Sequence, residues 1–391
     1  VTAVAGSAQQ LLASVAEIAD EIARPHADEV DREARFPTET IDALKECGAL
    51  SAVVPERLGG IGADIATIAT CCRELGRACS ASAMVFAMHH IQLASITRHI
   101  ETESWFENYL TGLVSEPRLI ASVTSEVGTG GDMGRSIASV VIDDAGRGHF
   151  EKHAPTVSYG LYADDLLATL RRAPDAEPGD QVAVLVHRDQ THIDVTGTWD
   201  VLGMRGTCSP GGIVTATFAA EQVMSAPFSD VGTESMVPIS HVLWSHLWLG
   251  IAEDAFARAR SFARAAARRS PNEPPYAAQR LSRVMTDLSV LRAEVRAGLE
   301  AFTEASASPG REDLRTMGAR LRFNSLKIAT SEYSPAVCRG ALEVTGIVGF
   351  KNDTPFSVGR HLRDTMSGAL MIANDRIHQT NANLLLITKD C

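Results

Sequence analysis

The feature that most constrains this 391-residue chain is a change of hydrophobic period that happens twice. From Ala8 to about Ala49, apolar residues recur every three or four positions: Leu11, Leu12, Val15, Ile18, Ala19 and Ile22, then Ile41 and Leu44 after Pro37 and Thr38. That spacing lays one apolar stripe along a helix. SAVVPERLGGIGAD (51–64) breaks the pattern with Pro55 and three glycines, and IATIATCCRELGRAC and ASAMVFAMHHIQLASITRHI restore it. Near Arg118 the texture changes: LIASVTSEV, SIASVVID, DDLLATLRR, QVAVLVHR, THIDVTG and GGIVTATFAAEQVM are short, β-branched and separated by Gly, Pro and Asp, as strands are. After Pro238 the helical period returns through two long stretches, and helices are predicted over 312–341 and roughly 362–388. A chain this long exceeds one simple core. The expected organisation is α+β, mainly α: a helical domain over 1–118, a small β-domain over 119–228 and a helical bundle over 229–391.

Bulk properties exclude several classes of function. The net charge of −12 and pI near 5.5 repel a phosphate backbone or an anionic membrane. Seven cysteines without CxxC spacing, two of them the adjacent Cys71 and Cys72, match neither a disulfide framework nor a zinc site. They suit a reducing cytoplasm. No basic segment leads into an apolar one near residue 1, and no uncharged apolar run approaches about eighteen residues, so no membrane span is expected. The twelve histidines include no HExxH, and adjacent His89 and His90 point to different sides of a helix, so no metal is expected. No GxSxG elbow or P-loop occurs either.

Three glycine-bearing connections remain: SEVGTGGD (125–132), LGMRGTCSPGG (202–212) and ALEVTGIVGFKNDTPFSVGRHLRD (341–364). Each alone reads equally well as a turn. Their order and separation, however, resemble the acyl-CoA dehydrogenase superfamily over nearly the whole chain. VPERLGGIGAD resembles its P-E-x-x-G-G-x-G loop, VTSEVGTGGD its V-T-E-P-G-A-G-S-D flavin loop, and VLGMRGTCS its L-G-x-R-G-T-x-S segment. EVTGIVGFKNDTPFSVGRHLRD resembles the Q-x-x-G-G-x-G-Y segment that leads to R-D.

The resemblance implies a central β-barrel-like domain, a C-terminal four-helix bundle, bound FAD and a homodimer or homotetramer. It places Ser122, Thr124, Ser125, Gly130 and Gly131 against the flavin ring and ribityl chain. TVSYGLYAD (156–164) matches W-I-T-N-G-x-x-A-N. Thr156 therefore replaces the tryptophan flanking the flavin, and Ser158 the threonine that approaches flavin N5. Arg269, Gln279, Glu343 and Gly346 stand at further cofactor-facing positions, although no clear R-x-x-F-G motif follows ARAAARR and Glu343 replaces a glutamine.

Aligning Arg363 and Asp364 with the family's Y-R-D places Ile372 where the Y-E-G-T glutamate would be, with Asn374 and Arg376 following. An alkyl chain accepts no proton. In a conventional member that carboxylate removes the α-proton of a CoA thioester while hydride leaves the β-carbon. One expectation is therefore dehydrogenation of an acyl-CoA or similar thioester by a displaced base, His241, on the first long helix after the β-domain. The alternative is a flavin monooxygenase of the same fold, in which Ser158, His89 and His90 border the flavin and O2 rather than an electron-transfer partner is the acceptor. The third reading is a non-catalytic subunit.

Overall fold

A computed structural model describes residues 6–269 and 276–388. The N-terminal third is helical. α1 (Ala8–Ile18) starts at Ser7, whose side chain accepts from the Gln10 amide, and runs through a π turn (Ala19–Ala23) into α2 (Arg24–Glu33). A side-chain oxygen at this position satisfies one of the orphan N–H groups of the first turn. α3 (Thr38–Glu46), α4 (Ile65–Ala78), α5 (Ser80–Thr97) and α6 (Trp105–Ser115) follow, with Asp64 and Ser104 capping α4 and α6 in the same way. α5 is buried around almost its whole circumference, as expected of a helix with apolar residues on every face. It stands between α4, the C-terminal helices and the β-domain.

The β-domain comprises two sheets. β1 (Ile120–Val123) pairs in parallel with β4 (Asp165–Arg171), which pairs antiparallel with β5 (Gln181–His187). The second sheet is antiparallel, in the order β2 (Val141–Ile142), β3 (Arg147–Ala154), β7 (Gly212–Ala219), β6 (Thr191–Val195). These sheets do not close into a barrel, so the barrel-like expectation becomes two separate sheets, with isolated bridges from β4 and β5 to residues just outside the second sheet, Arg171 with Ser139 and Val184 with Val223. Burial alternates strictly along β3, whereas β4 and β5 are buried nearly throughout. The four-stranded sheet therefore keeps one solvent face and the three-stranded one lies inside.

After the short α7 (Phe228–Val231) and a π turn (Gly232–Met236), the bundle is built from α8 (Val237–Arg269), α9 (Tyr276–Ser306) and α10 (Met317–Thr345), followed by α11 (Ile347–Phe350), α12 (Gly359–Met366) and α13 (Asn374–Leu385). The helix expected over 362–388 is thus two, separated by a turn in which Ile372 adopts a left-handed φ of +53°. Close packing enforces the break: a Cβ on Gly368 would lie 3.1 Å from Ser331 of α10 and 3.2 Å from the Trp248 ring of α8.

α8 lies against α4 at backbone distance because glycines meet there. A Cβ on Gly250 would stand 2.2 Å from the Arg73 carbonyl, and one on Gly76 2.5 Å from that of Leu247.

The Arg363-Asp364 pair joins all three parts of the chain. Arg363 reaches the Asp31 carboxylate and the Leu202 carbonyl, and buried Asp364 accepts the Met204 amide at 2.7 Å. Gly203 sits between these contacts, where a Cβ would meet the Arg363 carbonyl at 2.2 Å. Gly203→Ala is expected to cost about 3 kcal/mol, the upper range for overpacking against backbone that cannot yield. Urea unfolding checks it; an unchanged midpoint would show that the 202–208 segment is free to move away.

Candidate functional site

β1 ends beneath the loop that follows β3, and the hydroxyls expected to line a cofactor converge there. Ser122 is buried with Oγ 3.3 Å from Thr124 Oγ1. Ser125 Oγ donates to the Thr156 carbonyl at 3.0 Å and lies 3.1 Å from Thr156 Oγ1, while the Ser158 amide donates to the Ser122 carbonyl at 3.3 Å. Tyr159 holds the loop in place: its hydroxyl donates to the Ile120 carbonyl at 2.8 Å and its amide to Ser209 Oγ at 3.1 Å. Ser158 and Thr156 remain half-buried and thus reachable.

The glycine loop that begins at Ser125 has φ of +93°, +61° and +81° at Gly128, Gly130 and Gly131, conformations that favour glycine. Arg376 at the start of α13 lies over it, its guanidinium 3.0 Å from where a Gly130 Cβ would be. Beneath the loop, buried Glu126 accepts from Ser136 Oγ (2.7 Å) and from the amides of Ile137 (3.1 Å) and Ala138 (2.6 Å). Its carboxylate also lies 3.7 Å from Nζ of buried Lys152, which donates to the Thr169 carbonyl at 2.5 Å. Burial lowers the Lys152 pKa to about 8, against the raising effect of Glu126.

The histidines differ in what they have left to offer. His89 Nε2 donates to the Leu50 carbonyl at 2.6 Å and Nδ1 accepts the Ile120 amide at 3.1 Å. Both nitrogens are used, and the ring ties α5 to β1. His90 Nε2 meets the Ala49 carbonyl at 3.0 Å and its Nδ1 has no partner. His241, 1% exposed on α8, makes no well-formed hydrogen bond at either nitrogen, although the Phe323 backbone lies close enough to raise its pKa slightly. Burial, with the nearby Lys327 charge, pushes its pKa down to about 3.

Ile372 is half-buried, and its carbonyl accepts from Lys327 Nζ at 2.6 Å. Asn374 Oδ1 accepts from the same ammonium at 2.7 Å, and Asn374 Nδ2 donates to Ser331 at 3.1 Å. The other expected cofactor contacts lie on exposed helix surface: Arg269 on α8, Gln279 on α9, and Glu343 and Gly346 at the end of α10. Among the described residues none of these four hydrogen-bonds to the hydroxyl cluster. Sequence reasoning did not single out Glu126, Lys152, Lys327, Trp244 or Trp248. Lys327 had a signal, a lone cation on the otherwise apolar and small-polar face Phe323, Leu326, Lys327, Thr330, Ser331, Ser334.

Residues 6–117 match the model of the acyl-CoA dehydrogenase N-terminal domain and residues 242–375 that of a C-terminal domain of the same family. The chain belongs to the acyl-CoA dehydrogenase family. A probable FMNH2-dependent monooxygenase, SfnC of Pseudomonas putida, is 25% identical over 94% of this chain and 93% of its own. A probable acyl-CoA dehydrogenase of Bacillus subtilis, YngJ, is 26% identical over 47% of this chain and 48% of its own. The FMN-bound structure of TdsC from Paenibacillus sp. A11-2 superposes with a TM-score of 0.80 at 22% identity, covering 96% of this chain and 97% of that one. These matches establish the fold and a family of flavoproteins.

The residues present suit a flavin. Left-handed glycines under a guanidinium, beside a group of five hydroxyls, offer close-approaching amides, a cation and both donors and acceptors to a polar heteroaromatic ring and its phosphate. Among the described residues no helix is long and apolar enough to cross a membrane, and no group of His, Cys, Asp and Glu could hold a metal ion.

Proposed function

We propose that the chain is a flavin-dependent monooxygenase that uses reduced FMN supplied by a separate reductase, rather than the FAD expected from the family at large. The observation that carries this reading is the chemistry at residue 372. The position of the usual base holds an alkyl side chain, and its neighbours are an ammonium and an amide, Lys327 and Asn374. His241 is a weak substitute, because an imidazole whose pKa lies near 3 provides little driving force for taking a carbon-bound proton at neutral pH. The relative that matches along the whole chain is described as FMNH2-dependent, whereas the dehydrogenase relative matches along less than half.

When bound, the reduced flavin would activate O2, and one oxygen atom would pass to the substrate while the other leaves as water. Gly130, Gly131 and Arg376 would hold its phosphate, and Ser122, Thr124, Ser125, Thr156 and Ser158 its ring and ribityl chain. The sealed wall of α5, with His89 fixed by two backbone groups, would keep bulk water from that chamber. Ile347, Phe350, Leu370 and Leu386 are large apolar side chains left exposed, and self-association as a homodimer or homotetramer would cover such groups.

The test is to give the protein reduced FMN anaerobically and then admit labelled oxygen with candidate substrates. Labelled product is expected, and no anaerobic bleaching of oxidised flavin by acyl-CoA thioesters. One observation favours dehydrogenation instead: neither nitrogen of His241 makes a well-formed hydrogen bond. Anaerobic bleaching by an acyl-CoA that slows on the order of 10² in His241→Gln would establish that reading and end the oxygenase one.

A further inference from the structure

Three Lys or Arg side chains are buried among the described residues, and two have a counter-charge: Lys152 faces Glu126 and Arg360 faces Asp28 at 3.2 Å. Lys327 is the exception. It is 0% exposed, both its acceptors are neutral, and no carboxylate among the described residues lies within ion-pair distance, Glu332 acting on it only from further away. A buried ammonium without an anion costs several kcal/mol, and proteins rarely keep one without use.

The facing side of α8 adds a second, independent observation. His241, Trp244 and Trp248 are 1%, 5% and 0% exposed; neither indole Nε1 has a hydrogen-bond partner, and His241 has only a loose contact with the Phe323 backbone. Their spacing of three and four puts them on one helix face, with ring centroids 6.2 Å apart from His241 to Trp244 and 6.3 Å from Trp244 to Trp248. α8 and α10 touch at Ser245 and Thr330, whose hydroxyl oxygens are 2.9 Å apart. Gly368 sits between Trp248 and Ser331, and Ser331 bonds the Asn374 that holds Lys327. A buried N–H without an acceptor is itself costly. One ligand answers both deficits if it brings negative charge and several acceptor oxygens. A thioester carbonyl, neutral and with one oxygen, does not.

We propose that Lys327, His241, Trp244 and Trp248 form the recognition site for the anionic head of the substrate, a small organic oxyanion such as a carboxylate or sulfonate. The proposal deepens the monooxygenase reading by naming its substrate class, but binding at this site does not depend on that reading.

Intrinsic tryptophan fluorescence and thermal melting of the full-length protein, titrated with acetate, propionate and methanesulfonate, test it without turnover. At least one of these anions is expected to change the fluorescence saturably and raise the melting temperature. Lys327→Met should weaken that binding about ten- to a hundredfold, the loss of one charge-assisted hydrogen bond. Trp244→Phe keeps the ring, removes the N–H and should weaken binding about fivefold; it decides the matter if Lys327→Met does not fold. Anions that leave the wild type unchanged, or that bind both variants as tightly as the wild type, overturn the proposal. Labelled-oxygen incorporation from reduced FMN is read separately. Incorporation into neutral substrates with no anion binding removes the site and leaves the oxygenase. Anion binding with no incorporation leaves the site and removes the oxygenase.

Discussion

Glu126→Ala is expected to destabilise the protein by about 4 kcal/mol, in the range for breaking a buried ion pair, and to abolish retention of flavin. The carboxylate accepts three hydrogen bonds, from Ser136 Oγ and from the amides of Ile137 and Ala138, and these fold the far end of the glycine loop back on its start. Removing it orphans two backbone N–H groups and leaves buried Lys152 without the one group that raises its pKa. Lys152 would then fall below its present value of about 8 and lose charge near neutral pH. The disturbance reaches the ligand through one short path. Lys152 donates to Thr169, whose hydroxyl donates to the Thr124 carbonyl at 3.4 Å, and Thr124 stands beside Ser122. Glu126→Gln keeps the acceptor for one or two of these bonds and should lose about half as much stability. Urea unfolding and FMN titration measure both effects. A Glu126→Ala protein with wild-type midpoint and flavin affinity would show that the loop is organised from elsewhere.

Much of the architecture was legible because its helices bury one continuous stripe and its central strands are β-branched. What was missed has identifiable causes. β3 was not read as a strand because its inward positions are Gly148, Phe150, Lys152 and Ala154. The glycine makes room for the Phe218 ring, which a Cβ there would meet at 2.4 Å, and the lysine pairs with Glu126. Both look wrong for a core until the partner is known. The break between α12 and α13 was hidden for the same reason, since RHLRDTMSGALMIANDRI carries a helical pattern and the turn is imposed by Trp248 and Lys327 from other helices. A β-branched residue held at a φ of +53°, as Ile372 is, costs on the order of 1–2 kcal/mol, so the surrounding contacts must over-determine it.

The site was legible in part. The hydroxyls and glycines of the 122–131 segment stood in recognisable order, and the structure links Ser122 with Thr124 and with the Ser158 amide, and Ser125 with Thr156. Lys327 was not found because an isolated lysine on a helix normally belongs to a solvated face, and only three-dimensional packing shows that this one has neither solvent nor an ion-pair partner among the described residues.

Acidification from pH 7 to 4 is expected to unfold the chain before the lower limit is reached. Burial depresses His89, His246 and His361 to about 4, the last despite a 2.7 Å contact with Asp254, and His241 to about 3. Released into solvent, each would titrate at about 6.5. Below that value the unfolded chain takes up protons that the folded one refuses, so stability is complete above pH 6.5 and falls as pH approaches 4. A displacement of this size corresponds to roughly 3 kcal/mol per histidine, and four together are comparable to the roughly 5–15 kcal/mol by which domains are typically stable. Asp364, raised by burial, works in the opposite direction, but as one group against several, since burial also holds His90 and His99 low. The carboxylates held low, Asp165, Glu253 and Asp254, lose their contribution only at still lower pH and cannot account for a change in this window. Urea midpoints should therefore drop steadily from pH 6.5 and vanish above pH 4. A midpoint that stays flat down to pH 4.5 would mean that water reaches these rings and that the α5–α8 interior is not dry.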